Sequence, residues 1–376
     1  MLRTYKFKNY NFMLCFFVIA LSVIGYLAIG SAKESVQSRQ LYGIFVGVAA
    51  MIIISFINYD LYGKVKWFIY GINIVLLIMV LVAGVNVNGS TRWINIGFQF
   101  QPSELAKIML ILFFSQFIME VREKLNSLPM IGILCALMLV PLLLVFKEPD
   151  LSTSIMIVIT FCIMIFIGGL NYKTVILVLA TVIPIVIGGL VFILNEKNTI
   201  LEGYQVLRIR AWLDPEKYAD AEAYQQINSI TAIGSGQLFG KGLNNNVIAS
   251  VKNGNFISEP QTDFIFAVIG EELGFIGSAA VIILLLLIAI ECFIIAHRSK
   301  DLSGAIIADA VGCLICIQGF MNIAVATGLL PNTGIPLPFV SYGLTSLVSL
   351  YMGIGVVLNV GLQGSKRKNT TDFFGG

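Results

Sequence analysis

Long apolar runs separated by short polar segments dominate the chain and predict membrane-spanning helices. A helix needs about 20 mostly apolar residues to cross the hydrocarbon core of a bilayer. Runs of that order recur along the whole sequence. The expected spans lie near residues 12–30, 41–57, 67–85, 104–119, 129–146, 152–170, 174–194, 264–296, 304–328 and 342–362. The pattern therefore predicts an all-α polytopic membrane protein with about ten transmembrane helices.

Two features interrupt this regular pattern. The eighth run is too long for one straight crossing, and Gly270, Gly274 and Gly277 predict a break into a short helix and a true span. Residues 195–263 form one long polar segment between the seventh and eighth spans. We therefore expect a single integral membrane domain over residues 1–376 that contains one large extracytoplasmic loop.

Lysine and arginine in the short loops indicate the orientation, because cytoplasmic loops of membrane proteins carry an excess of them. Four such residues fall on one side of the predicted membrane: Lys33, Arg39, Arg92 and Lys147. Thirteen fall on the other side: Arg3, Lys6, Lys8, Lys64, Lys66, Arg122, Lys124, Lys173, Arg298, Lys300, Lys366, Arg367 and Lys368. The count predicts that both termini are cytoplasmic and that the large loop faces outward.

Composition agrees with a membrane protein and limits the chemistry. Hydrophobic residues make up 57% of the 376 residues and charged residues only 12%, about half the charged fraction of an ordinary soluble domain. The single histidine, His297, argues against Ser-His-Asp catalysis and against a histidine-rich metal site. Carboxylates, arginines and lysines are thus the candidate chemical groups, and we expect no nucleic-acid partner.

Charged side chains inside predicted spans are candidates for function, because burying a charge in a bilayer is unfavourable. Glu104 and Lys107 lie three residues apart, so they share a helix face and can pair. They form either a structural ion pair or the polar wall of a substrate cavity. Asp150 stands where the sixth span begins, and it is either the N-cap of that helix or a direct participant in the chemistry.

The large loop supplies most of the remaining positive charge. Arg208, Arg210 and Lys241 lie in it, the last within GSGQLFGKG, whose glycines allow the backbone to approach a ligand closely. That stretch is not a phosphate-binding Walker A motif. Ser235 stands where the motif requires glycine, and Gly242 stands where it requires serine or threonine.

The segment GLLPNTGIPLPFVSYGLTS, residues 328–346, has three prolines and cannot form a regular helix. Irregular backbone at membrane depth is tolerated only where it is buried in protein or lines a cavity. We therefore expect this segment to line a cavity rather than to act as a plain connector.

The stretch EPQTDFIFAVIGEEL, residues 259–273, places acid beside strongly apolar sequence. A carboxylate next to FIFAVI is partly desolvated, which raises its pKa and suits it to act as a base. Asp263 is the nearest carboxylate to that apolar run, and its alternative role is to cap a helix that starts at Phe264. Glu271 and Glu272 fall on different helix faces, so at most one of them is expected to share a site with Asp263.

Five stretches, taken together and in this order, resemble the signatures of the SEDS family, the membrane glycosyltransferases that polymerise peptidoglycan. They are STRWINIGFQFQPSELAK, PDLSTS, AIGSGQLFGKG, EPQTDFIFAVIGEELGF and GLLPNTGIPLPFVSYG, and they extend over nearly the whole chain. The compact length and the sequence pattern AIGSG-x-L-x-GKG look most like the RodA (elongation) branch. The FtsW (division) and SpoVE (sporulation) branches are the alternatives. Glu148, Ser152 and Leu344 stand where the family commonly shows Gln, Gly and Gly.

The resemblance implies an enzyme that joins lipid II disaccharide units into glycan strands at the outer face of the bacterial cytoplasmic membrane. It makes Asp263 the catalytic residue, a general base for an inverting displacement of undecaprenyl diphosphate. The candidate substrate-binding residues are Glu104, Lys107, Asp150, Arg208, Arg210, Lys241, Glu272 and Ser341. No spacing demands a metal, but a divalent cation, Mg²⁺ or Mn²⁺, is a candidate cofactor at the diphosphate.

The expected partners are lipid II, a class B penicillin-binding protein transpeptidase and other membrane proteins of an elongation complex. The expected role is in cell wall elongation and cell shape. Two other functions fit the same pattern: a flippase that moves lipid II without making a bond, and a scaffold that only activates a transpeptidase. An acid at the outer interface beside a basic loop favours the enzyme, because a flippase should concentrate its polar groups near the midplane.

Overall fold

The computed structural model describes residues 9–87, 90–95, 97, 99–176, 180, 184, 188, 204–219, 223–243 and 257–364. Twelve α-helices lie in this part of the chain. They are α1 Phe12–Ala32, α2 Glu34–Ser55, α3 Asp60–Lys64, α4 Lys66–Ala83, α5 Pro102–Glu120, α6 Leu128–Lys147, α7 Leu151–Ile167, α8 Tyr204–Leu213, α9 Tyr224–Ser235, α10 Ile265–His297, α11 Leu302–Ala326 and α12 Leu344–Gln363.

The apolar runs fold into long helices as the sequence predicts. Eight helices within the described ranges are long and apolar enough to cross a membrane, and α7 is an apolar helix of 17 residues. Together they account for nine of the ten expected spans. The seventh interval, 174–194, lies mostly outside the described residues, so the count of ten and the position of the large loop between spans 7 and 8 remain predictions.

Side-chain caps fix where several of these helices begin. Asn11 accepts the Leu14 amide at the start of α1, and Asp301 accepts the Gly304 amide at the start of α11. At the start of α5, Pro102 occupies the first turn, where its missing N–H would have no partner within the helix. The polar residues between apolar runs therefore act as helix boundaries.

Three helices form the centre of the molecule. In each candidate span, we compared the buried share of an 18-residue apolar stretch. This share is 83% in α5, 72% in α12 and 67% in α11, and at most 39% in the other five spans. Close packing of α2 on α12 uses a glycine, since a Cβ on Gly47 would lie 2.3 Å from the Tyr351 ring. The Tyr351 hydroxyl in turn lies 2.8 Å from Ser22 Oγ of α1. The more exposed spans, among them α1 and α2, thus form an outer layer around the central helices.

A small antiparallel sheet follows α4 and adds three short strands to the mostly helical fold. Strand β1 is Val85–Val87, β2 is Ser90–Asn95 and β3 is Gln99–Phe100, in the order β1-β2-β3. Val85 pairs with Trp93, and Ile94 pairs with Phe100. Strands this short cannot be recognised from apolar runs of membrane length.

The break predicted in the eighth run occurs at Gly274 of α10. Its backbone has φ 65° and ψ −161°, a conformation open to glycine. The GSGQLFGKG stretch packs directly against this kink: Phe275 N donates to Gln237 O at 2.8 Å, and a Cβ on Gly240 would lie 2.2 Å from Glu272 O. Its glycines thus allow close approach to α10 backbone.

The proline-rich segment between α11 and α12 is irregular over most of the predicted interval 328–346, and helix α12 begins at Leu344. Residues 327–343 contain turns and no helix or strand. Helix α9 packs over the end of α11, where Gln226 Nε2 donates to Val325 O and Leu330 O and Ser229 Oγ donates to Ala326 O, each at 2.8 Å. The irregular segment therefore lies under α9 and close to the residues that precede α10.

Candidate active site

The residues before α10 are held by three hydrogen bonds to consecutive backbone carbonyls. Tyr342 N donates to Gln261 O at 2.9 Å, Ser341 Oγ to Thr262 O at 2.6 Å, and Asn322 Nδ2 to Asp263 O at 2.7 Å. The first two donors belong to the irregular segment and the third to α11. Asp263 is therefore fixed through its backbone from two directions.

The Asp263 carboxylate is positioned without a capping role. Helix α10 begins at Ile265 with Phe264 at the N-cap and no side-chain cap hydrogen bond, so capping by Asp263, the alternative considered from sequence, does not occur. A Cβ on Gly334 would lie 3.4 Å from Asp263 Oδ2. Within the described residues, that carboxylate accepts no hydrogen bond from protein, so it remains available to a ligand.

Charges around Asp263 come from several elements. Burial raises the pKa of Asp263 to about 6, against the lowering effect of Arg208 and Arg92, with Glu259 and Asp150 adding to the rise. Arg208 of α8 also donates to Asn332 O at 3.1 Å. Ser152 of α7 donates to Thr333 O in the same segment. The sequence PNTG, residues 331–334, is thus tied to α7 and α8 beside Asp263.

Asp150 is the N-cap of α7, which is one of the two roles expected for it from the sequence. Its Oδ1 accepts the Thr153 amide at 3.0 Å, and its Oδ2 accepts Gln101 Nε2 at 3.3 Å. Arg92 of β2 reaches the same corner, with Nη1 3.8 Å from Asp150 Oδ1 and Nη2 donating to Pro149 O. Asp150 therefore belongs to the charged surroundings of Asp263 while it begins α7.

Glu104 and Lys107 form a buried ion pair inside the helix bundle. Lys107 Nζ lies 2.9 Å from Glu104 Oε1 and 3.2 Å from Gln318 Oε1 of α11. Gln318 Nε2 donates to Pro336 O at 3.0 Å, so the pair connects α5 to the irregular segment. The cavity beside Lys107 has a volume of about 10 Å³, room for roughly one water. In this structure the pair is an interior contact.

Two further candidates lie at the glycine-rich contact with α10. Lys241 Nζ pairs with Glu271 Oε1 at 2.8 Å, and Ser31 Oγ of α1 donates to Glu272 Oε1 at 2.5 Å. Both contacts hold α10 to its neighbours near the Gly274 kink. Arg210 follows Arg208 by two residues on α8, and such positions point to different helix faces.

Two residues of this site, Arg92 and Asn322, have no site role predicted from the sequence. Arg92 lies within the STRWINIG stretch and bears on the predicted membrane orientation. Asn322 fixes both Asp263 O and Ile335 O at 2.7 Å. A buried amide inside the apolar run FMNIAVA is itself a signal, because an unsatisfied polar group in a membrane is unfavourable. Both residues are recognisable in the sequence by charge or polarity, but their partners are distant in the chain.

The described residues contain no group of three or more His, Cys, Asp or Glu side chains arranged to hold a metal ion. Within the described part of the chain, the residues around Asp263 therefore do not fit a metal held by protein ligands alone. The cations whose charge acts on Asp263 are Arg208 and Arg92.

Comparisons with known proteins identify the family. The "Cell cycle protein" family model (FtsW/RodA/SpoVE) matches residues 5–366. The chain is 36% identical to Stage V sporulation protein E of Bacillus subtilis, over 86% of each chain. It is 34% identical to the peptidoglycan glycosyltransferase MrdB of Escherichia coli K12, over 91% of each chain.

The fold agrees with a solved structure. A chain from a peptidoglycan synthase complex that coordinates polymerization and crosslinking superposes with a TM-score of 0.77 at 25% identity, covering 94% of this chain and 97% of that one. The sequence motifs, the helical architecture and the family match over residues 5–366 agree with one another. The chain therefore belongs to the FtsW/RodA/SpoVE (SEDS) family.

Proposed function

We propose that this protein is a peptidoglycan glycosyltransferase that polymerises lipid II at the outer face of the bacterial cytoplasmic membrane. The observation that carries this proposal is the Asp263 carboxylate, which is fixed through its backbone, receives no protein hydrogen bond within the described residues and is flanked by arginines. Relatives named as peptidoglycan glycosyltransferases support the activity.

In the proposed reaction, the 4-hydroxyl of one sugar attacks the anomeric carbon of the growing chain and the lipid diphosphate leaves. Asp263 accepts the hydroxyl proton as the new C–O bond forms. A raised pKa strengthens a carboxylate as a base, and positioned proton transfer of this kind typically contributes roughly 10²–10⁴-fold. Direct displacement inverts the anomeric centre and needs no covalent sugar–enzyme intermediate.

The departing diphosphate carries the charge that develops in the reaction. Fixed cations near developing charge are a large catalytic term. Arg208 is the best placed of the cations assigned from sequence, because its charge acts directly on Asp263. Arg210 and Lys241 remain candidates, although Lys241 pairs with Glu271 in this structure.

A divalent cation enters the proposal only as an ion held mainly by the diphosphate oxygens. Mg²⁺ commonly binds through one or two carboxylates together with substrate phosphates. The proton transfer to Asp263 does not depend on it. Polymerisation assays with and without a chelator test this part of the proposal.

A transpeptidase of the class B penicillin-binding protein type is the proposed partner. The matched chain from a peptidoglycan synthase complex supports the expectation of a complex. Cell wall elongation as the role, other elongation-complex proteins as further partners and cytoplasmic termini follow from the sequence resemblance and the loop charges. The branch is open to test, since the identities to Stage V sporulation protein E and MrdB are 36% and 34%.

One experiment separates the enzyme from the flippase and the scaffold. The purified protein is supplied with lipid II and its transpeptidase partner in vesicles, and glycan chains and lipid movement are measured in parallel. We expect glycan chains from the wild-type protein with the partner's own active site blocked. Lipid movement without glycan chains would support the flippase, and neither activity would support the scaffold.

A further inference from the structure

Arg92 reaches the Asp263 site from the small sheet and is held at the corner between α6 and α7. Its Nη2 donates to the neutral carbonyl of Pro149, and its Nη1 lies 3.8 Å from Asp150 Oδ1. That distance is longer than a hydrogen bond. Asp150 is meanwhile committed to the Thr153 amide and to Gln101. The guanidinium is therefore anchored, while its charge is only partly engaged by a carboxylate.

Within the described residues, the protein uses only part of the donor capacity of this guanidinium. Arginine carries five N–H donors. Within the described residues, the Nε of Arg92 is buried and makes no hydrogen bond. The side chain as a whole keeps 19% of its surface accessible, so a ligand can reach part of it. A rigid fork of donors that is anchored on one side matches the geometry of phosphate oxygens.

Glu148 lies beside Arg92 without forming an ion pair with it. Its side chain is completely buried, and neither carboxylate oxygen has a hydrogen-bond partner within the described part of the chain. Burial and the neighbouring Asp150 raise the pKa of Glu148 to about 8, although Arg92 lowers it. At neutral pH the carboxyl is mostly uncharged, so it leaves the charge of Arg92 available to an anion.

We propose that Arg92 is a substrate-binding residue that, together with Arg208, holds the diphosphate of the lipid substrate beside Asp263. The two arginines come from different elements, β2 and α8, and the charge of each acts on the Asp263 carboxylate. A diphosphate bound by both would meet two guanidinium groups whose charges act on the base. This inference rests on the proposed function for its place in the reaction, but diphosphate binding is measurable without turnover.

Binding of farnesyl diphosphate, a short polyprenyl diphosphate, tests the proposal directly. The full-length protein in detergent is titrated as wild type, Arg92→Gln and Arg39→Gln, the last being an exposed arginine of α2. Loss of one charge-assisted contact should weaken binding by roughly tenfold or more in Arg92→Gln. Arg39→Gln should bind like the wild type. Equal binding by wild type and Arg92→Gln would overturn the proposal.

Two further measurements distinguish a diphosphate-binding role of Arg92 from a purely structural one. In the wild-type protein, farnesyl diphosphate should slow modification of Arg92 by phenylglyoxal, read by mass spectrometry, whereas unchanged modification would contradict the proposal. Raising the pH from 7 to 9 ionises Glu148 and should weaken wild-type binding, while Glu148→Gln should bind with little pH dependence. A pH dependence that is the same in both proteins would contradict the assigned position of Arg92.

Binding and polymerisation assays together show whether the diphosphate site or the enzymatic activity fails. If the wild-type protein makes no glycan but binds farnesyl diphosphate through Arg92, the diphosphate site stands and the enzymatic proposal fails. If the wild-type protein makes glycan and Arg92→Gln equals it in both binding and polymerisation, the inference fails and the enzymatic proposal stands.

Discussion

At the scale of single residues, Asp263 is held by its backbone while its side chain stays open to a ligand. Asn322 and Ser341 fix the carbonyls of Asp263 and Thr262, so the carboxylate needs no protein donor to keep its position. Such support from surrounding residues is what a catalytic group requires. These hydrogen bonds explain why Asn322 and Ser341, two uncharged polar side chains, are buried here.

The pH dependence of activity follows from the charges around Asp263. As the proposed general base, Asp263 must be ionised, and burial raises its pKa to about 6. Polymerisation should therefore rise with pH through about 6 and then level off. Arg208→Gln removes a charge that lowers this pKa, so the rise should move to higher pH. Initial rates of lipid II polymerisation between pH 4.5 and 8 give the pH–rate profile of the wild type and of Arg208→Gln. If the two profiles rise at the same pH, Arg208 does not lower the pKa of Asp263.

Glu148 predicts a pH dependence of stability. Its pKa is raised to about 8 in the folded protein, so the stability it contributes is present below the unfolded pKa and is lost as pH rises through about 8. Glu148→Gln cannot ionise. The Tm of this variant should exceed that of the wild type by a margin that grows from pH 5 to 8. Thermal unfolding in detergent measures the margin, and a constant difference would argue against a mostly neutral Glu148.

At the scale of elements, the kink in α10 depends on glycine at two meeting points. Gly274 has a positive φ, and a Cβ there would lie 2.3 Å from Gly240 N. The kink lets the glycine-rich loop hydrogen-bond to the α10 backbone. The segment before the kink carries Glu271 and Glu272 and begins next to Asp263. The kink therefore connects packing of the long helix to the position of the site.

Gly274→Ala should destabilise the protein and lower its activity. Backbone strain alone is worth about 1–3 kcal/mol, and the steric overlap with Gly240 adds to it. Gly71→Ala is the matched control, because Gly71 is a helical glycine of α4 with nothing within 4 Å of an added Cβ. Thermal unfolding of both variants tests this; an equal Tm for the two would show that the kink does not need glycine.

At the scale of the whole molecule, a buried polar network joins the central helices to the irregular segment. Lys107 contacts Glu104 and Gln318, and Gln318 holds Pro336 O. Removing one member of a buried ion pair leaves the other charge without compensation, which is strongly destabilising. The network thus helps set the position of the segment that surrounds Asp263.

Lys107→Met should lower Tm by on the order of 5 °C, because Glu104 would lose its ion-pair partner in the bundle interior. The double variant Glu104→Gln, Lys107→Met removes both charges and should recover much of that loss. Thermal unfolding of the two variants and of wild type forms the comparison. If the double variant were less stable than Lys107→Met, the pair would not be a coupled interior contact.

Much of this architecture is predictable from sequence, because bilayer thickness imposes a length on every span. The runs that became α1, α5, α11 and α12, and the break at Gly274, follow from local pattern. The short sheet does not, since its strands depend on pairing with one another. Local pattern also indicates Asp263 and Asp150, but the positions of Arg92 and Asn322 beside Asp263 depend on tertiary contacts between distant segments.

The most direct measurement is polymerisation of purified lipid II by wild type, Asp263→Asn and Asp214→Asn, with the partner transpeptidase present and lipid II binding measured alongside. Asp214 is an exposed carboxylate just after α8, so its variant controls for loss of charge. We expect Asp263→Asn to bind lipid II and make no detectable glycan, while Asp214→Asn polymerises like the wild type. Normal glycan synthesis by Asp263→Asn would contradict the assignment of Asp263 as the catalytic base.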